Sequence, residues 1–146
     1  MIIFFGIGSN LGDREQNLRY TLQLLDERVG ERLVCSSIFR SAPQGFDSNN
    51  EFANIVAVYK TDFSPEELLL LTQRIECELG RTHKSVEGIY SDRIIDIDLL
   101  QAIDNSKHLV YNSPQLTLPH PRMQERDFVL IPLQEVMSKF SVEICY

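Results

Sequence analysis

The chain is short of basic residues. Its 146 residues hold 14 Lys and Arg against 21 Asp and Glu, a net charge of −7, and the pI is about 4.9. A nucleic-acid sheath or an anionic-membrane patch needs the opposite balance, so both are excluded as expected partners. Cysteine is equally sparse. Cys35, Cys77 and Cys145 are odd in number, widely spaced and form no C-x-x-C pair. That excludes a disulfide framework and a zinc knuckle, and it fits free thiols in a reducing cytoplasm. No apolar run approaches the roughly 18 residues of a membrane span. The opening Met1-Ile2-Ile3-Phe4-Phe5 has no basic n-region and no cleavage site, so a strand is expected there and not a signal peptide. Repeats, low-complexity tracts and linkers are absent. With 43% hydrophobic and 24% charged residues, residues 1–146 are expected to form one globular domain.

Two common nucleotide motifs are missing as well. Gly6-Ile7-Gly8-Ser9-Asn10-Leu11-Gly12 is spaced G-x-G-x-x-x-G, and no acidic residue closes a second parallel strand at the dinucleotide distance. There is no G-x-x-x-x-G-K-[ST]. A nucleotide site here must be of another kind.

Hydrophobic periodicity sets out the elements. Residues 2–7 read as a buried strand and 8–13 as a turn. Leu18, Leu22, Leu25 and Val29 mark one face of a helix that Gly30 stops. Residues 32–40 and 52–59 read as strands around a loop at 41–50. Ser64-Pro65-Glu66-Glu67 opens a second helix: Ser caps, Pro takes the first turn and Glu67 closes a capping box. Leu68, Leu71, Ile75 and Leu79 are its core stripe, and Gly80 ends it. A polar, basic loop over 81–93 precedes an acidic strand. Residues 104–122 read as mostly irregular, and 128–138 as a strand or short helix. The order β-α-β-β-α-β predicts an α+β, ferredoxin-like arrangement.

The acidic strand carries the chemistry. In Asp92-Arg93-Ile94-Ile95-Asp96-Ile97-Asp98-Leu99-Leu100, side chains alternate, so Asp96 and Asp98 share a face about 7 Å apart along the backbone. Carboxylates in an apolar run need a neutralising partner. Mg²⁺ supplies one, since it favours one or two carboxylates plus substrate phosphates; arginine pairing or a solvated face is the alternative. The scarce cations gather in two places, at Arg81, His83, Lys84 and Arg93, and at His120, Arg122 and Arg126. Cations beside a carboxylate pair suit a Mg²⁺–polyphosphate ligand. His120 stands between Pro119 and Pro121, which stiffen its backbone. Gln73 and Glu76 share a helix face clear of the leucine stripe, where they either meet a ligand or face solvent.

Three segments together resemble the 6-hydroxymethyl-7,8-dihydropterin pyrophosphokinase family of folate biosynthesis. They are Gly8-Ser9-Asn10-Leu11-Gly12-Asp13, the strand Arg93 to Leu100, and Leu118-Pro119-His120-Pro121-Arg122 running on through Arg126-Asp127-Phe128 to Leu133. Arg40-Ser41-Ala42-Pro43 and Gln73-Arg74-Ile75-Glu76 fall where that family has counterparts. The resemblance implies a βαββαβ core with an antiparallel sheet in a three-layer α/β/α arrangement. It implies transfer of the β,γ-diphosphate of ATP to the pterin hydroxymethyl group, release of AMP, and two Mg²⁺ ions held by Asp96 and Asp98. Arg81, Arg93 and Arg126 would join the aspartates at the reaction centre. Gln73, Glu76, Lys84, Arg93, Thr117 and His120 would meet ATP. Ser41, Ala42, Gln44, Phe52, Asn54 and Phe128 would form the pterin pocket. A cytoplasmic monomer acting on ATP and the pterin is implied. The chain departs from the family pattern at His83, Tyr90, Gln115 and Pro121, where an arginine, a tryptophan, a basic residue and an aromatic are usual; it has no tryptophan at all. Loops 41–51 and 81–93 are expected to close over the site.

Two other classes are weighed. A non-catalytic ligand sensor on the same fold needs neither the aspartate pair nor the gathered cations. An RNA-binding relative is opposed by the acidic pI and the lack of a basic aromatic sheet motif.

Overall fold

The structure is a computed structural model and describes residues 1–41, 51–80 and 94–139. It is a mixed α/β fold in which one antiparallel sheet is flanked by helices. In chain order the main elements are β1 (Ile2–Ser9), α1 (Arg14–Arg28), β2 (Gly30–Cys35), β3 (Phe39–Ser41), β4 (Phe52–Thr61), α2 (Pro65–Glu78) and β5 (Asp96–Asp104). The short strands β6 (Lys107–His108), β7 (Tyr111–Asn112) and β8 (Thr117–Leu118) follow, then a 3₁₀ turn at Met123–Glu125 and α3 (Asp127–Lys139).

The sheet order is β2-β4-β1-β5-β6, with β3 also paired to β4. β1 sits at the centre, which explains its nearly unbroken apolar sequence: both of its faces are covered. One face packs Ile3, Phe5 and Ile7 against Leu18, Leu25, Leu68 and Ile75 of α1 and α2. The other packs Phe4, Val56, Val58 and Leu100 against Val129, Leu133 and Val136 of α3.

Capping fixes where the helices begin. Asp13 accepts the Gln16 N–H at 3.1 Å, and Ser64 and Glu67 form the expected capping box. Arg28 and Glu78 then tie the C-terminal ends of α1 and α2 together with a two-pronged ion pair. Gly30 is required by space: a Cβ there would lie 2.0 Å from the Lys60 carbonyl oxygen.

One expectation is corrected and two are made specific. The single strand expected over 32–40 is broken into β2 and β3. The Ser36 hydroxyl accepts the Val56 N–H at 2.9 Å, and Glu135 of α3 accepts the Ser37 N–H at 2.6 Å, so side-chain bonds take up N–H groups that a continuous ladder would use. The segment 128–138 is fully helical although Pro132 lies inside it; Val129, Leu133 and Val136 recur at helical spacing and are buried, and their packing outweighs the one lost backbone bond. The region 104–122 is mostly irregular, as expected, and it also holds the short strands β6, β7 and β8. Asn105 and Ser106 take φ of 51° and 62°, the geometry of a type I′ hairpin turn between β5 and β6.

Candidate active site

Register brings the polar residues of three strands onto one face. Gly8 of β1 is paired with Asn54 of β4 on one side and with Asp96 of β5 on the other, and Gly6 is paired with Asp98. Asn54 and Asp96 therefore lie two strand spacings apart, roughly 10 Å. This is the α3 face, at the end of the sheet beyond the α3 core. A Cβ on Gly8 would sit 3.0 Å from Asn54 Oδ1 and 3.4 Å from the Phe52 ring, and one on Gly6 would meet Leu100 at 3.3 Å. The glycines leave a low floor over which Asn54, Phe52 and the aspartates stand.

The Asn54 side chain is fixed. It is 5% exposed, and its Nδ2 donates to Ser41 Oγ at 2.8 Å and to the Phe39 carbonyl at 3.1 Å. Its Oδ1 accepts no hydrogen bond from the described residues, so an acceptor is held ready at a fixed place. At the start of α3, the Arg126 guanidinium lies 5.6 Å from the centre of the Phe128 ring and 3.8 Å from Asp98 Oδ2. One cation thus joins the aromatic to the carboxylate pair.

Asp96 and Asp98 are half-buried, and no cluster of three or more His, Cys, Asp or Glu ligands exists among the described residues. Two same-face carboxylates suit Mg²⁺, which keeps waters and takes its remaining oxygens from substrate phosphates; they do not suit a closed all-protein metal cage. The residues present therefore fit the magnesium that the aspartate spacing suggested.

His120 and Glu76 reach the outer edge of β5. The His120 backbone N–H donates to the Leu100 carbonyl at 2.7 Å, and its Nδ1 accepts the Arg122 N–H at 3.1 Å. The neutral ring must then carry its proton on Nε2, as a donor. Burial, then Arg126 and Arg122, hold its pKa below the ordinary histidine value, with Asp96 pulling the other way. Glu76 is 8% exposed and its Oε2 accepts the Ile97 N–H at 3.0 Å. It is not a solvated residue beside the leucine stripe, the second possibility its spacing left open. Gln73 is half-buried on the same helix. Thr117 is exposed and its hydroxyl donates to Asn112 within the β7–β8 hairpin.

A family model for 7,8-dihydro-6-hydroxymethylpterin-pyrophosphokinase matches residues 4–138. The chain belongs to this family. Its curated relatives include a 2-amino-4-hydroxy-6-hydroxymethyldihydropteridine pyrophosphokinase of Porphyromonas gingivalis, 46% identical over 92% of this chain and 90% of the relative. The Bacillus subtilis protein of the same name is 40% identical over 97% of this chain and 81% of its own length. Among solved structures, an HPPK-DHPS protein in complex with substrates superposes with a TM-score of 0.71 at 13% identity, covering 98% of this chain and 41% of the other. Plasmodium falciparum HPPK-DHPS with pteroate gives 0.68 at 16% identity, covering 92% and 38%. At those identities the structures speak for the fold, and this chain spans well under half of each.

The structure thus gathers Ser41, Phe52, Asn54, Asp96, Asp98, Arg126 and Phe128 on one face, with Glu76 and His120 bonded to the edge of β5. Arg81, His83, Lys84, Tyr90 and Arg93 lie outside the described residues, as do Ala42 and Gln44 and the two loops expected to close. Sequence reasoning misses Gly6 and Gly8 as floor residues. It ends the first strand at residue 7 and puts Gly8 in a turn, whereas β1 runs to Ser9. The signal is there: glycines two apart in an apolar strand leave one face bare.

Proposed function

We propose that this protein transfers the β,γ-diphosphate of ATP to the hydroxymethyl group of 6-hydroxymethyl-7,8-dihydropterin, releasing AMP, as a Mg²⁺-dependent step of folate biosynthesis. The observation that carries the reading is the shared pairing of Gly8, which brings Asn54 and the carboxylates Asp96 and Asp98 onto one surface. Asn54 would receive the polar edge of the pterin. Phe52 and Phe128 offer apolar area to its flat ring, and Ser41 keeps the Asn54 amide in place. With Ala42 and Gln44 these residues make up the proposed pterin pocket.

Asp96 and Asp98 would hold the metal, two ions in our reading. A metal held there would supply charge neutralisation for the phosphate oxygens. The protein's own part is positioning. Arg126 stands between the Phe128 ring and Asp98, where it can meet a phosphate oxygen beside the pterin hydroxyl. His120, with Nδ1 already bonded, presents Nε2–H as a fixed donor. Arg81, Lys84 and Arg93 complete the phosphate contacts, and Gln73, Glu76 and Thr117 the nucleotide side. No residue need be a general base, since diphosphate transfer depends on alignment and charge neutralisation.

The sheet order β2-β4-β1-β5, with α1 and α2 on one face and α3 on the other, supports a finer fold reading. It is that of a ferredoxin-like βαββαβ core in three layers. We take residues 1–146 as a single pyrophosphokinase domain, a cytoplasmic monomer with no nucleic-acid or membrane partner. Its negative charge and the unpaired Cys35 and Cys77 support this, and no helix among the described residues is long and apolar enough to cross a membrane. The test is to mix protein, Mg-ATP and the hydroxymethyl pterin. AMP should appear only when all three are present; ADP in its place contradicts the reading.

A further inference from the structure

The half of β5 that bears the aspartates has, among the described residues, an outer edge with little strand pairing. Among the described residues, β6 pairs with β5 only at Ile103 and Asp104. Farther along, the Leu100 carbonyl accepts from the His120 N–H at 2.7 Å. At Ile97, between the two aspartates, the acceptor is the Glu76 carboxylate at 3.0 Å. A backbone N–H on an unpaired edge needs a partner, and an ionised carboxylate is a strong one. It is also costly to bury: Glu76 is 8% exposed on a helix whose other buried residues, Thr72 apart, are apolar. A neutral or apolar residue would be the cheaper occupant of such a position if shape alone mattered.

We infer that Glu76 is a positioning residue for the metal carboxylates: it clamps the Ile97 N–H and so fixes the strand that aims Asp96 and Asp98. The inference rests on the proposed metal role of those aspartates and goes further, because it gives Glu76 a task that does not pass through the nucleotide. Ile97 is one residue from each aspartate. A rotation of its peptide plane swings both carboxylates, and a metal site built from two such ligands tolerates little misalignment. Groups that orient metal ligands from behind typically change metal affinity 10–100-fold when removed.

The test uses Mn²⁺ alone, without nucleotide, followed by electron paramagnetic resonance, so that a contact between Glu76 and ATP cannot influence it. Glu76→Ala should weaken Mn²⁺ binding at least tenfold and speed hydrogen exchange of the Ile97 amide at least tenfold. Glu76→Gln keeps an acceptor oxygen, and it should hold both quantities within threefold of the parent protein. Should Glu76→Ala fail to fold, Glu76→Asp, one methylene shorter, is expected to give the same losses. Unchanged Mn²⁺ affinity in Glu76→Ala overturns the clamp, as does a Gln variant as weak as the Ala variant, since charge and not the bond would then be responsible. A parent protein that binds no Mn²⁺ even with a non-hydrolysable ATP analogue present would instead overturn the metal reading of Asp96 and Asp98, while the Ile97 exchange rates would still decide whether the clamp exists.

Discussion

Replacing Gly8 by alanine probes the floor of the site. The added methyl would lie 3.0 Å from Asn54 Oδ1 and 3.4 Å from Phe52 Cδ1. Ordinary contact begins near 3.4 Å, so Asn54 has to retreat by several tenths of an ångström. It cannot do so freely, because its Nδ2 is bonded to Ser41 Oγ, the Phe39 carbonyl and, at 3.4 Å, the Phe52 carbonyl. Either the amide turns and leaves these bonds, or it stays and the β1–β4 pairing shifts. In the first case the pterin edge loses its partner, worth about 1–3 kcal/mol, or roughly a 5- to 150-fold weaker Kd at 1.4 kcal/mol per tenfold. In the second the fold loses about 1–3 kcal/mol through overpacking. Gly8 is also paired with Asp96, but the new methyl meets Asn54 and Phe52 first. Calorimetric titration with the pterin and, separately, with a non-hydrolysable ATP analogue distinguishes the outcomes when read beside a melting curve. We expect a folded variant that loses pterin affinity and keeps nucleotide affinity. Parent-like pterin binding in a folded Gly8→Ala protein would refute the floor, and equal losses of both ligands would mean general damage.

Other outcomes follow from the same geometry. Asp96→Ala and Asp98→Ala should each cut turnover at least a hundredfold by steady-state assay while lowering Tm by no more than a few degrees; the half-exposed Asp98–Arg126 pair is worth only about 0–1 kcal/mol. Proton NMR should find His120 titrating below the ordinary value. Because its folded pKa is depressed, the stability it contributes is present above the unfolded pKa and is lost as pH falls through the folded one; a bound polyphosphate should raise the pKa by favouring the imidazolium. Glu135 accepts from the Ser37 N–H, the Ser37 hydroxyl and Lys139, and these bonds lower its pKa from 4.5 to about 2. Its stabilising contribution is therefore present above the usual carboxylate range and lost as pH falls toward 2. Glu135→Ala should cost about 1 kcal/mol in denaturant unfolding at neutral pH and nearly nothing at about pH 2.

Much of this was legible in the chain. Periodicity 3.6 marked α1 and α2, and Asp13 and the Ser64–Glu67 box marked their starts, because those signals are local. The period of two alone put Asp96 and Asp98 on one face. What escaped depended on partners distant in sequence. The break at residues 36–38 needs Glu135, almost a hundred positions on, to accept the Ser37 N–H. The helix over Pro132 needs the sheet face that buries Val129 and Leu133. Glu76 looked detached from the leucine stripe because the edge of β5 that it serves is assembled only in the fold. Gly8 looked like a turn residue because its meaning lies in what stands on either side of it, Asn54 and Asp96, and sequence shows neither neighbour.

The most direct measurement follows the phosphorus atoms. ATP labelled separately at the α, β and γ positions is turned over with the hydroxymethyl pterin and Mg²⁺, and the products are separated. The account predicts that β and γ labels leave together on the pterin and that the α label remains in AMP. A β label recovered in ADP, or released as free diphosphate in step with AMP, would contradict it.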